Sequence, residues 1–148
     1  MPERETLKRA AKDQAEGKSP STQAGEFVHE EIEHIREGKH GARSAKQAIA
    51  IGLSKARRAG VKLPPPKKGE ASKETREQAK RDVKKGRKTG KKKPSAKRSR
   101  ATLKVLKREG RSAASKTALS RQAHKAAAKR SAASRSRSAR KAATTRKK

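Results

Sequence analysis

The chain has 148 residues, 40% charged and 28% hydrophobic, with a formal net charge of +31, one Phe, and no Trp, Tyr or Cys. The missing cysteines exclude disulfides and thiolate metal sites, and no apolar run approaches the ~20 residues of a membrane span. So few large apolar side chains at so high a charge argue against one large core, because ordering each residue costs roughly 1–2 kcal/mol of backbone entropy.

The charge is lopsided. Residues 67–148 hold 32 of the 45 Lys+Arg against five acids, Glu70, Glu74, Glu77, Asp82 and Glu109, whereas residues 1–66 hold 13 against nine. Five carboxylates cannot neutralise 32 cations, so the C-terminal part must face salt or a polyanion. Nucleic acid is the polyanion every cell supplies.

Residues 1–18 are expected to form a flexible N-terminal arm. Pro2 to Gly17 has the ends of a short helix, but Leu7, Ala10, Ala11 and Ala15 give it only a thin apolar stripe. Its charged start has no apolar run behind it and does not read as a secretory signal, so a soluble, cytoplasmic protein is expected.

Residues 19–63 carry the clearest pattern. Ala24, Val28, Ile32 and Ile35 recur on one face of a helix, with Phe27 at its margin and Gly38 and Gly41 beyond its end. Ser44-Ala-Lys-Gln47 has capping-box spacing. After it Ala45, Ala48, Ile49, Gly52, Leu53 and Ala56 form a second stripe, closed by Gly60, Val61 and Pro64. Two such helices and a short turn predict an αα-hairpin packed through Val28, Ile32, Ile35, Ala45, Ala48, Ile49, Leu53 and Ala56. The first helix is acidic and the second basic, which favours antiparallel pairing. Burying five or six large apolar side chains supplies at most about 9–18 kcal/mol, less than ordering roughly forty residues costs. The hairpin is therefore expected to form a homodimer through residues 22–60 or to be marginally folded.

Residues 64–71, opened by Pro64-Pro65-Pro66, read as a stiff linker. Residues 72–148 read as a basic tail, largely disordered or conditionally helical. Thr75-Arg-Glu-Gln78 has capping-box spacing before a polar helix that reaches Lys85. Lys84 to Pro94 is too charged and glycine-rich to be other than flexible. Ser95 opens a helix through Leu103 and Leu106, and residues 112–134 are alanine-rich. Arg-Ser-Ala-Ala-Ser occurs at 111–115 and again at 130–134, and residues 134–148 are expected to be disordered. The fold class is thus mainly α, a small helical hairpin with a long basic tail and no β-sheet.

Candidate phosphate contacts are Lys84, Lys85, Arg87, Lys88, Lys91, Lys92, Lys93, Lys97, Arg98 and Arg100, then Arg121, Lys125, Lys129, Arg130, Arg135, Arg137, Arg140 and Lys141. With no aromatic residue but Phe27 to stack on bases, the expected mode is backbone-dominated binding of double-stranded DNA without sequence preference, the alternatives being an RNA- or ribosome-associated protein or an interaction protein that uses the helical hairpin. Arg57 and Arg58 either touch phosphates or complement the dipole of the second helix. His29-Glu-Glu-Ile-Glu-His34 has metal-like spacing, but it departs from H-E-x-x-H and no second ligand helix exists. It reads as a solvated acidic face, with His40 and His124 isolated and solvated, so no metal and no other cofactor is expected. No Walker-type loop follows a strand, and no serine has a histidine and a carboxylate arranged in a packed pocket. Neither catalysis nor a small-molecule substrate is expected.

At Ser44-Ala-Lys-Gln-Ala-Ile-Ala-Ile-Gly-Leu-Ser-Lys-Ala-Arg-Arg-Ala-Gly60, after the turn Glu37-Gly-Lys-His-Gly41, the chain resembles a bacterial family of small basic proteins of unknown function. That resemblance implies a bacterial source and no activity. The Ala/Lys/Arg/Ser-rich tail resembles linker-histone C-terminal domains and bacterial histone-H1-like proteins, which implies DNA compaction by charge neutralisation, with the nucleoid as its place.

Overall fold

The computed structural model describes residues 2–88 and 95–146. Among them are seven α-helices and one 3₁₀ turn, with no strand: α1 Arg4–Ala15, α2 Pro20–Arg36, α3 Ala45–Ala59, α4 Lys73–Arg87, α5 Ala96–Arg108, the turn Ser112–Ala114, α6 Lys116–Ala128 and α7 Ala132–Arg146.

Helices α2 and α3 form the central pair. Ser19 caps α2 through the Thr22 amide, and Pro20 supplies a first-turn residue that has no amide to satisfy. Ser44 caps α3 through the Gln47 amide at 3.2 Å, while the Gln47 carboxamide accepts from the Arg43 amide at 2.8 Å. Gly60, at φ +107°, ends α3, and the Val61 amide returns to the Ala56 carbonyl at 3.1 Å. The two helices cross closely at Gly52, where a Cβ would lie 2.7 Å from the Val28 Cα. Of the side chains expected to pack this pair, Ile32, Ile35, Ala45, Ala48 and Ala56 are buried and Val28, Ile49 and Leu53 are half-buried. Phe27, placed at the margin by the pattern, is 1% exposed and central to one of two small cores.

The expected organisation, a hairpin followed by a largely disordered tail, is overturned. The C-terminal half is mostly helical over its described residues, and part of it is built into the core. Ala113 and Ala114 of the 3₁₀ turn are buried with Ile32, Ile35, Ala42 and Ala48, and Leu119 of α6 packs against them. The backbone stitches this segment down. Gly41 donates its amide to the Leu106 carbonyl at 2.9 Å, Ala42 to the Gly110 carbonyl at 3.1 Å, and Arg36 its Nε to the Ala114 carbonyl at 3.1 Å. A Cβ on Gly41 would sit 2.0 Å from the Glu109 carbonyl oxygen, so only glycine permits this approach. Small alanines fit against a pair of helices that has little surface to offer, and supply burial that the pair lacks.

Helix α4 docks on the other side of α3. Its cap is Ser72, which accepts from the Thr75 amide, rather than Thr75 itself. It also continues through Gly86, where a Cβ would stand 2.1 Å from the Arg57 carbonyl oxygen. Asp82, 1% exposed, accepts from Ser54 Oγ at 2.6 Å and Gln78 Nε2 at 3.1 Å and pairs with Arg58 Nε at 3.2 Å.

The segment expected to be a flexible arm is helix α1, packed on α2. Its buried face is Thr6, Ala10 and Asp13; of the expected stripe only Ala10 is buried, and Leu7 is 41% exposed. Polar anchors hold it: Glu3 donates its amide to Glu30 Oε2 at 3.0 Å, Arg9 pairs with Glu26 at 2.8 Å, and Lys18 pairs with Asp13 at 2.8 Å. The aspartate and Glu16 raise the Lys18 pKa. Helices α5 and α7 bury no described side chain. No helix among the described residues is long and apolar enough to cross a membrane.

Candidate nucleic-acid interface

The cations of the two halves have different surroundings. In the first half most of them face carboxylates, among them Lys8 with Glu5, Arg9 with Glu26, Arg36 with Glu33, Lys39 with Glu3 and Glu37, and Lys55 with Glu30 and Glu31. Burial alone would raise the Glu30 pKa. The Thr6 side chain beside it, the Glu3 amide and the Lys55 ammonium outweigh that cost and hold it below the usual value.

In the second half Lys80 pairs with Glu77, while Asp82 and Glu109 are taken up by Arg58 and Arg43 of the first half. The candidate contacts Lys84, Lys85 and Arg87 lie on the last turn of α4, with Lys88 just after it, and all four are exposed. Lys97, Arg98 and Arg100 are exposed on the first turns of α5, where Arg100 donates its Nε to the Ala96 carbonyl. Arg121 and Lys125 are exposed on α6, one turn apart, and Lys129 and Arg130 follow its end. Arg130 bonds to Ser134 and Ser138. Arg135, Arg137, Arg140 and Lys141 are exposed on α7. Lys91, Lys92 and Lys93 lie outside the described residues.

One groove collects several of these groups. It lies where the N-terminal ends of α3 and α6 approach each other and is lined by Arg43, Ser44, Lys46, Ser115, Arg121 and Lys125. Arg43 and Lys46 were not expected there. Arg43 comes into range through the turn that binds residues 106–110, a contact no local pattern reveals. Backbone amides at two helix N-termini and four cations make this groove electropositive. A second basic depression runs along α5 between Arg100, Leu103, Lys104, Lys107 and Arg108.

Arg57 is removed from such a surface. It is 7% exposed, donates Nη2 to the Pro64 carbonyl at 3.3 Å, and burial lowers its pKa despite the nearby Asp82 charge. Arg58 is half-exposed but committed to Asp82 and Ser54.

The 29–34 segment is not a solvated acidic face. Glu30 and Glu31 are 3% and 1% exposed, and only His29 is exposed. His40 is not isolated either: its Nε2 lies 3.1 Å from Glu31 Oε1, and its side chain is 10% exposed. His34 Nε2 meets Glu3 Oε1 at 2.8 Å. The His34 contact and the Lys39 ammonium lower the Glu3 pKa. His124 is exposed on α6.

No match is found among curated proteins or among solved structures. Residues 17–68, which run from the turn after α1 through α2 and α3 to the linker, match the model of a family of unknown function (DUF6496).

Proposed function

We propose that this is a non-enzymatic protein that binds double-stranded nucleic acid, DNA foremost, through its phosphates and without sequence preference. A histone-like, nucleoid-associated role follows from that mode of binding. The observation that carries the reading is the contrast in pairing. Most cations of the first half are answered by carboxylates, whereas the described ones from the end of α4 through α7 stand exposed among few acids. A helix that presents cations at successive turns follows a phosphate backbone without reading bases. Nothing aromatic is offered for stacking, since Phe27 is buried. The helical hairpin and the segments packed on it serve as the scaffold.

Binding of the full chain to two unrelated duplexes, titrated across salt, tests this. If about ten phosphates are neutralised, log affinity falls against log salt with a slope near −9, equally for both duplexes. The double variant R121Q/K125Q is expected to reduce that slope by about 2. A marked preference for one duplex at physiological salt defeats the reading. Tighter binding to ribosomal RNA than to duplex DNA at equal phosphate concentration transfers it to the RNA alternative.

A further inference from the structure

We propose that Glu31, His34 and His40 form a binding site for a divalent transition metal of the zinc class. The site fastens helix α2 to the turn that precedes α3. One ligand atom from each of these three residues lies within 4.8 Å of the other two. Glu31 and His34 are one turn apart on α2, so their side chains share a face. His40 enters from the turn beyond Gly38. The rings of His34 and His40 stand edge to face with centroids 6.2 Å apart.

Two observations point to a cation rather than to simple packing. First, His40 Nδ1 lies 3.1 Å from the Gly41 carbonyl oxygen, which can only accept, so Nδ1 carries the hydrogen. In a neutral ring that leaves the lone pair on Nε2, and Nε2 faces Glu31 Oε1 at 3.1 Å. A lone pair against a carboxylate oxygen needs a positive centre between or beside them. An imidazole fixed by a backbone carbonyl with its other nitrogen on a metal is the usual arrangement at protein metal sites. Second, Glu31 is 1% exposed, yet its Oε1 receives no hydrogen bond. The Lys55 ammonium stands 2.5 Å from Oε2 and answers charge on that side, which leaves Oε1 toward the histidines.

The distances suit an ion. Ligand bonds of about 2.0–2.1 Å at a near-tetrahedral angle separate two ligand atoms by about 3.4 Å, so Nε2 and Oε1 need part by only a few tenths of an ångström. Two imidazoles and one carboxylate select zinc, cobalt or nickel over magnesium or calcium, which take oxygen ligands. Glu3, bonded to His34 Nε2, orients that ring from the start of α1.

The test uses the full chain, freed of nucleic acid at high salt and titrated with Co²⁺ and then Zn²⁺. Expected are one equivalent of Co²⁺ with an intense ligand-field band, displacement by Zn²⁺, and a rise in Tm with Zn²⁺. H34Q and H40Q should each weaken Co²⁺ affinity more than tenfold, while H29Q and H124Q leave it unchanged. Should either of the first two variants fail to fold, histidine acylation of the unaltered protein decides. Zn²⁺ should protect His34 and His40 and leave His29 and His124 reactive. Absence of the band with an unmoved Tm overturns the proposal, and a proton then fills the gap. So does protection that falls on His29 or His124 instead.

Discussion

Asp82 shows how one acid inside a basic segment acquires a structural task. Five acids among 32 cations look like noise in the sequence, yet Asp82 is 1% exposed and gathers Ser54, Gln78 and Arg58, which joins α4 to α3. Hydrogen bonds to a buried charge are each worth about 1.5–3 kcal/mol, discounted here because Arg58 is half-exposed. Asp82→Ala is expected to destabilise the fold by about 2–3 kcal/mol in urea unfolding, and Asp82→Asn by less. A change under half that for the alanine variant would mean that α4 is held mainly by Ala79 and Gly86. Glu74 and Glu77 act on the same helix from outside. The Glu74 pKa is lowered by its own backbone amide and by Ser72, that of Glu77 by Lys80. A carboxyl with a lowered folded pKa contributes fully above its unfolded value of about 4.3 and loses that contribution as pH falls through the folded one. Helical circular dichroism should therefore decline as pH falls below about 4.3, and Glu77→Gln should shrink the pH-dependent part.

At the level of helices, Gly41 marks the contact that most separates the structure from the reading of the sequence. Periodicity and capping residues announced α2 and α3, because Ser44, Gln47, Gly60 and the apolar stripes are local signals. The docking of residues 106–114 left no such trace. It depends on a glycine that admits another backbone and on two alanines in a string, Arg-Ser-Ala-Ala-Ser, that recurs at 130–134 with its alanines exposed. Identical residues are core in one copy and surface in the other, so burial there is decided by what lies opposite. Likewise α1 buries Thr6 and Asp13 beside Ala10 while Leu7 of its stripe stays exposed, and Arg43 and Lys46 reach a shared groove only through tertiary contact. Gly41→Ala tests the contact. A Cβ 2.0 Å from a backbone oxygen forces the segments apart, at a cost of about 1–3 kcal/mol. The amides of Gly41 and Ala42, which donate to Leu106 and Gly110, should lose hydrogen-exchange protection before those of α2. Unchanged protection would show that the two segments are held from elsewhere.

For the molecule as a whole, the segments beyond the proline linker carry both core residues and the proposed binding surface, so the two cannot be separated there. Truncation after Pro66 removes α4, Ala113, Ala114 and Leu119 and should abolish a cooperative thermal transition. Truncation after Ser131 leaves both small cores complete and should keep Tm within a few degrees of the full chain, while weakening duplex binding. A cooperative melt from residues 1–66 alone would show the central pair to be self-sufficient after all. The stitch between Arg36 and Ala114 spans 78 residues of chain. At a synthesis rate of about 5–20 residues per second, Ile32 and Ile35 wait roughly 4–16 seconds on the ribosome before their cover emerges. Through that interval the nascent chain exposes a greasy patch while its cationic helices appear beside ribosomal RNA, so slowing translation should lengthen its exposure to chaperones.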